Sequence, residues 1–224
     1  MTYILSIDSS TDQGSVALHL DGKLLSSIEI HKERTHASHL APAITHLLNI
    51  CNLEMKELHA VAFSGGPGSY TGLRIGAGLA KGLCFSLDIP LIHVNTLQII
   101  AKGSEIKGID NPIYIPMIDA RRMEVYTAVF NQDFEQITPT EAHIITEASF
   151  YDYTHNQTVV FAGNGSDKAQ GIMSGSTIFV PDVIPHAGKM GAFAFKKFQK
   201  NEIEGPNWEP HYLKEFQPGK PKKV

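Results

Sequence analysis

The sequence predicts an α/β fold in two lobes, on three observations. Short β-branched apolar runs alternate with segments whose apolar residues recur at helical spacing. The chain opens on an antiparallel meander before its first helix. Its 224 residues suit one large domain or two small lobes, at roughly 100–200 residues per domain, and positions 103–112 carry two glycines, several charges and a proline. The division falls there, giving a first lobe over 1–105 and a second over 106–224.

Residues 3–7 form a strand ending at Asp8, and Ser9-Ser10-Thr11-Asp12-Gln13-Gly14 is turn chemistry. Residues 15–20 alternate as a strand, Asp21-Gly22 is a hairpin signal, and 23–30 return. Residues 35–53 read as a helix with one apolar stripe of Leu40, Ile44, Leu47, Leu48 and Cys51, and Pro42 suits it if placed in the first turn. A buried strand over 58–63, a glycine-rich loop over 64–71, a helix over 72–87, a strand over 90–94 and a helix from 96 complete the lobe. In the second lobe, strands 113–119 and 124–130 pair around Ala120-Arg121-Arg122, where a hairpin is favoured over an anion contact. Residues 159–162 are a strand closed by Gly163-Asn164-Gly165, and 186–201 form a helix with Met190, Phe193, Ala194 and Phe198 inward. Residues 217–224 read as a mobile basic tail, with Lys220, Lys222 and Lys223 solvated.

Composition narrows the function. A net charge of −4 and a pI near 6.2 are wrong for a chain that holds nucleic acid alone, so any such contact is expected to be shared with a partner. Cys51 and Cys84 lie in apolar helical patterns and read as reduced, packed thiols. No basic stretch and apolar core precede Asp8, and no run approaches roughly 18–20 apolar residues, so a cytoplasmic protein outside the membrane is expected.

The most informative stretch is Ser64-Gly65-Gly66-Pro67-Gly68-Ser69-Tyr70-Thr71-Gly72-Leu73-Arg74-Ile75-Gly76. Strand, glycine-rich loop and helix in that order suit anion binding. The specific phosphate motifs fail, because Leu73 follows Gly72 where a Walker loop needs lysine, and Thr71 stands where a dinucleotide turn needs its third glycine. Pro67 stands where a hydrolase elbow needs glycine two residues before Ser69. The helix itself holds Gly72, Gly76, Gly78 and Gly82, each worse than alanine by about 1 kcal/mol in a helix interior. Gly72, Gly76, Ala80 and Cys84 form one small ridge, Gly78 and Gly82 a second, with Ile75, Leu79 and Leu83 between them. Small ridges let another backbone approach closely. One could meet the chain's own sheet; two, plus an apolar ridge, predict an intermolecular helix contact.

The same stretch resembles the signature of the TsaB family, also called YeaZ, relatives of TsaD. Ile4-Leu5-Ser6-Ile7-Asp8-Ser9-Ser10, Asp119-Ala120-Arg121-Arg122-Met123-Glu124-Val125-Tyr126 and Glu209-Pro210-His211-Tyr212-Leu213 add to the likeness, which spans nearly the whole chain. The resemblance implies the actin-like ATPase and sugar-kinase fold, with mixed sheets flanked by helices in two lobes. It implies a non-catalytic scaffold that pairs with TsaD, joined by TsaE. That assembly places threonylcarbamoyl on the adenosine 3′ of the anticodon in tRNAs reading codons that begin with A. The pairing helices would be 35–53, through Leu40, Ile44 and Leu47, and 72–87, through Gly72, Arg74, Ile75, Gly76, Leu79 and Leu83; the same surface would serve a homodimer. Bulky residues at Gly76 and Gly78 would then abolish pairing while the fold survives.

In this fold class the first strand ends in an acidic residue and a turn that holds phosphate, so Asp8, Ser9, Ser10 and Gly68 are candidate relics of a nucleotide site. The isolated chain is expected to carry no cofactor and no metal, with ATP or ADP and a metal in the TsaD partner. His36 and His39 stand three apart, where TsaD-like subunits space two metal-binding histidines a full turn, and no third ligand accompanies them. The competing readings are a TsaD-like metal-dependent transferase or metalloprotease, and a small-molecule kinase of the same fold class.

Overall fold

A computed structural model describes residues 1–31, 36–205 and 208–209. The first sheet contains β1 (Tyr3–Asp8), β2 (Gly14–Leu20), β3 (Lys23–Ile30), β4 (Ala60–Ser64) and β5 (Leu91–Val94), in the order β3-β2-β1-β4-β5. β1 pairs antiparallel with β2 and parallel with β4, placing Ile7 beside Val16 and Phe63. Asp21 and Gly22 both take positive φ, 49° and 80°, the turn geometry whose twist matches a hairpin. Between β3 and β4 lies α1 (His36–Ile50), and between β4 and β5 lies α2 (Tyr70–Leu87). Position 35, the expected helix start, is outside the described residues. Pro42 sits beyond the first turn of α1, unlike the expectation.

Both faces of this sheet are covered, which is why β1 reads as a continuous apolar run rather than an alternating one. Leu5, Ile7, Leu18, Val61 and Phe63 meet α1 and α2 on one face. Ile4, Ala17, Ala60, Ala62 and Ile92 meet Met190 and Ala194 on the other.

The second sheet contains β6 (Ile113–Asp119), β7 (Glu124–Thr127), β8 (Glu141–Ile144), β9 (Val159–Ala162) and β10 (Thr177–Val180), in the order β10-β9-β6-β7-β8. Counted from β6, it repeats the first: a central strand, then two strands paired antiparallel in turn on one side and two paired parallel on the other. β7 ends three residues before the expected limit. The next rung would face Pro116, which has no N–H to offer, and the Thr127 hydroxyl donates to the Pro116 carbonyl at 2.8 Å instead.

α3 (Thr96–Gly103) follows β5 but packs on β6, and α5 (Gly191–Gln199) follows β10 but packs on the first sheet. The helix expected over 186–201 is split into a 3₁₀ turn at Ala187–Lys189 and α5. His186 Nδ1 accepts from Gly188 N at 3.0 Å and Ser15 Oγ of β2 from Ala187 N at 2.9 Å, so one local and one tertiary side-chain bond replace helical bonds there. Met190 and Ala194 face inward as expected, while Phe193 and Phe198 are half-buried. β8, β10 and α4 (Tyr151–Asn156) were not expected from the sequence.

Candidate partner-docking site

α2 begins two residues earlier than expected because Ser69 caps it: its Oγ accepts from Gly72 N at 3.3 Å. The loop before it is tied down on both sides. Gly65 N donates to Val94 O at 2.8 Å, Thr96 N to Gly66 O at 3.0 Å, and Ser69 N to Ser10 O at 2.7 Å. Ser9 Oγ donates to Gly72 O at 2.8 Å, and Asp8 Oδ1 accepts from the Ser10 hydroxyl at 2.7 Å.

The expected relic of a nucleotide site lies within this stitching. Asp8, Ser9 and Ser10 are at most 1% exposed. A Cβ at Gly68 would stand 2.4 Å from Ser10 O, so the loop leaves no room for a phosphate between them. Bonds made by Ser9, Ser10 and Asp8 Oδ1 join two loops of one chain here.

α2 presents two different faces. Gly72, Leu73, Gly76, Ala77, Ala80 and Cys84 are buried. A Cβ at Gly72 would come within 2.0 Å of Ser9 O, and one at Gly76 within 2.2 Å of Ser9 Oγ. That ridge is small because β1's turn lies against it. Gly78 and Gly82 are exposed, and a Cβ there would meet nothing within 4 Å. Arg74 is exposed beside them, with its guanidinium 4.3 Å above the Tyr70 ring. Phe85, one turn beyond Gly82, is 92% exposed. Ile75, Leu79 and Leu83 are half-buried at the border.

Five residues expected at a partner surface are therefore inside. Leu40, Ile44 and Leu47 are at most 2% exposed, because α1 has a single apolar stripe and its own sheet takes it. Gly72 and Gly76 face Ser9. Arg74, Ile75, Leu79 and Leu83 remain at or near the surface. The expectation that bulk at Gly76 would spare the fold is corrected with them. Phe85 was absent from the expected surface, although its helical spacing from Gly78 and Gly82 marks the same side.

His39 is exposed and its Nδ1 lies 2.8 Å from Ser38 Oγ; the His36 side chain is outside the described residues. Among the described residues no three His, Cys, Asp or Glu side chains come together as a metal-ligand set. Arg121 and Arg122 occupy left-handed turn positions, φ 76° and 52°, and Arg121 N donates to Asp119 Oδ1 at 2.6 Å. Lys168 Nζ reaches Asp119 Oδ1 at 2.7 Å and Glu124 O at 2.8 Å. Burial raises the Asp119 carboxyl, but hydrogen bonds from Lys168 and the Arg121 amide outweigh it and hold the group below its ordinary value. Asn164 Oδ1 accepts from Asp119 N at 3.0 Å, so the Gly163-Asn164-Gly165 turn serves the hairpin. Pro210 to Leu213 and the basic tail lie outside the described residues. No helix among the described residues is long and apolar enough to cross a membrane.

The family model described as "TsaD: tRNA N6-adenosine threonylcarbamoyltransferase" matches residues 23–202. The tRNA threonylcarbamoyladenosine biosynthesis protein TsaB of Bacillus subtilis is 29% identical over 218 residues, covering 94% of this chain and 93% of that one. A Pseudomonas aeruginosa structure, described as an uncharacterized protein with similarity to peptidase YEAZ, is 28% identical with a TM-score of 0.84, covering 96% of this chain and all of that one. At the level of fold alone, ethanolamine utilization protein EutJ from Carboxydothermus hydrogenoformans is 11% identical with a TM-score of 0.54, covering 87% of this chain and 90% of that one. With the repeated sheets, the fold is of the actin-like ATPase and sugar-kinase type.

Proposed function

Because this chain belongs to the TsaB (YeaZ) branch of the TsaD family, we propose that it acts in threonylcarbamoyladenosine formation on tRNA as a subunit without chemistry of its own. It docks a TsaD catalytic subunit through the outward face of α2. The observation that carries this reading is the division of the α2 glycines. Gly72 and Gly76 are accounted for by Ser9, whereas Gly78 and Gly82 weaken the helix by about 1 kcal/mol each with no neighbour to recover it. A second helix laid between Gly78, Gly82 and Phe85, flanked by Ile75, Leu79 and Leu83, would recover it through close packing. Helix axes approach most closely where side chains are smallest, and of the two small ridges of α2 the one at Gly78 and Gly82 is open.

The absence of a role in catalysis rests on the buried turn at Asp8–Ser10 and on the lack of a ligand cluster among the described residues. ATP or ADP and a metal then belong to the TsaD partner, TsaE joins the pair, and tRNA contact is shared through the complex. A homodimer through the same face competes with TsaD.

Gly78→Trp tests the docking. Space is open around Gly78, so the variant should keep its circular dichroism and melting temperature. Its affinity for TsaD in a pull-down or titration should fall at least tenfold, roughly 1.4 kcal/mol. A folded variant that binds TsaD as tightly as the wild type refutes the docking face. ATP turnover by the purified chain alone would refute the absence of chemistry.

A further inference from the structure

β5 is the outer strand of the first sheet, and an open strand edge pairs with whatever chain approaches it. Here a later segment of the same chain, at Glu204, bridges that edge. Glu204 N donates to Leu91 O at 2.8 Å, and the two residues form an antiparallel bridge. The Glu204 carboxylate holds His93 Nδ1. Trp208 stacks on the His93 ring, with centroids 5.2 Å apart and planes at 24°. It also meets Phe63 edge-on at 4.9 Å, and Phe63 is a buried residue of the core beneath α2.

His93 has two further contacts. Lys197 of α5 donates Nζ to its carbonyl at 2.9 Å. Its ring lies against Gly65, where a Cβ would come within 3.0 Å of Cδ2. Gly65 opens the loop that ends at the Ser69 cap of α2. Three of that loop's five residues are glycine, so Pro67 alone restricts its backbone and the glycines leave the rest of its course free. Contacts must fix it: Ser10 on one side, Thr96 and His93 on the other. Trp208 stands behind His93 on the sheet face that α2 covers, and it does not reach the Cβ positions of Gly78 and Gly82.

We propose that Glu204 and Trp208 form a latch that presses His93 against Gly65, sets the loop before α2, and so holds the docking face in position. This inference rests on the docking reading above and makes Trp208 a positioning residue outside the contact surface. Partner binding and latch seating are then coupled. Releasing the latch loosens the loop and weakens docking, and docking in turn tightens the latch.

Trp208 is the only tryptophan in the sequence, so intrinsic fluorescence reports the latch directly. In the chain alone, Trp208 emission should be blue of free tryptophan and shielded from acrylamide. Glu204→Ala should shift it red, expose it to quenching, and speed hydrogen exchange of amides 65–72 about tenfold, with α5 unchanged. Added TsaD should change wild-type Trp208 emission with the midpoint of binding. Glu204→Ala and Trp208→Ala should weaken that binding roughly fivefold, in the range found for residues off both contact surfaces. Trp208→Phe, which keeps the stacking, should restore it. The latch is overturned if Glu204→Ala frees Trp208 while exchange at 65–72 stays as in the wild type. It is equally overturned if released and seated chains bind TsaD alike. A wild-type chain that binds no TsaD at all sinks the docking reading itself, while the partner-free exchange result still decides whether the latch sets the loop.

Discussion

Replacing Gly76 and Gly78 by alanine, one at a time, should move stability in opposite directions although the two stand on one helix two residues apart. At Gly78 nothing lies within 4 Å of the added methyl, so the helix gains about 1 kcal/mol of propensity. At Gly76 the methyl would stand 2.2 Å from Ser9 Oγ and 3.5 Å from Ser9 Cβ. Ser9 is 1% exposed and its hydroxyl donates to Gly72 O at 2.8 Å. Swinging that hydroxyl aside strands a buried polar group, at about 1–3 kcal/mol. Repacking the turn adds about 1–3 kcal/mol. Less the propensity gain, the net loss is about 3 kcal/mol, or roughly 6–12 °C in melting temperature for a chain of this length. Urea unfolding followed by circular dichroism measures both variants. Ser9→Ala in each background closes a double-mutant cycle. It should return part of the Gly76→Ala loss, because the clashing oxygen is gone, and should not interact with Gly78→Ala. Equal stability of Gly76→Ala and wild type, or shifts of the same sign at both positions, would refute the assignment of the two faces.

Two further outcomes follow from buried groups. Burial holds the His19 imidazole below its ordinary value against the opposing bonds to Gly188 and Ile4, and burial lowers His186 likewise. Burial therefore favours the neutral form of both in the fold, against the Glu29 carboxylate 3.0 Å from His186 Nε2, whereas the unfolded chain takes up protons near pH 6.5. Stability is therefore full above that pH and is lost as pH falls through it, and the urea midpoint should drop between pH 7 and 5.5, with a shallower slope for His19→Gln. Burial pushes the Cys84 thiol up to about 11, so at pH 8 it should react with Ellman's reagent only after the chain unfolds, and a fast-reacting Cys84 in the folded chain would contradict its placement.

The first lobe is legible because its signals are local. Asp21-Gly22 sets the β2–β3 turn, and β1 and β4 are short, mainly apolar runs whose length and bounding turns name them as strands. β8 and β10 escape such reading for a physical reason. β8 is largely exposed, β10 is half-buried throughout, and each has four residues, too few for alternation to stand out. The proposed docking face is partly legible. Its small ridges are visible at helical spacing, but Leu40, Ile44 and Leu47 read as a candidate surface until the sheet beneath them is known. The latch has no local signal, since Glu204 and His93 are far apart in sequence and their pairing depends on α5 crossing to the first sheet.

By itself, the sequence determined that the 72–87 region is a helix with two glycine-bearing sides and that the strand before it, over 58–63, is buried. Those properties follow from backbone propensity and residue spacing, which neighbours in the chain decide. Only the tertiary structure decided which side is inside. Two small ridges are equivalent on paper, and the turn at Ser9, arriving from the other end of the lobe, occupies one and leaves Gly78 and Gly82 open.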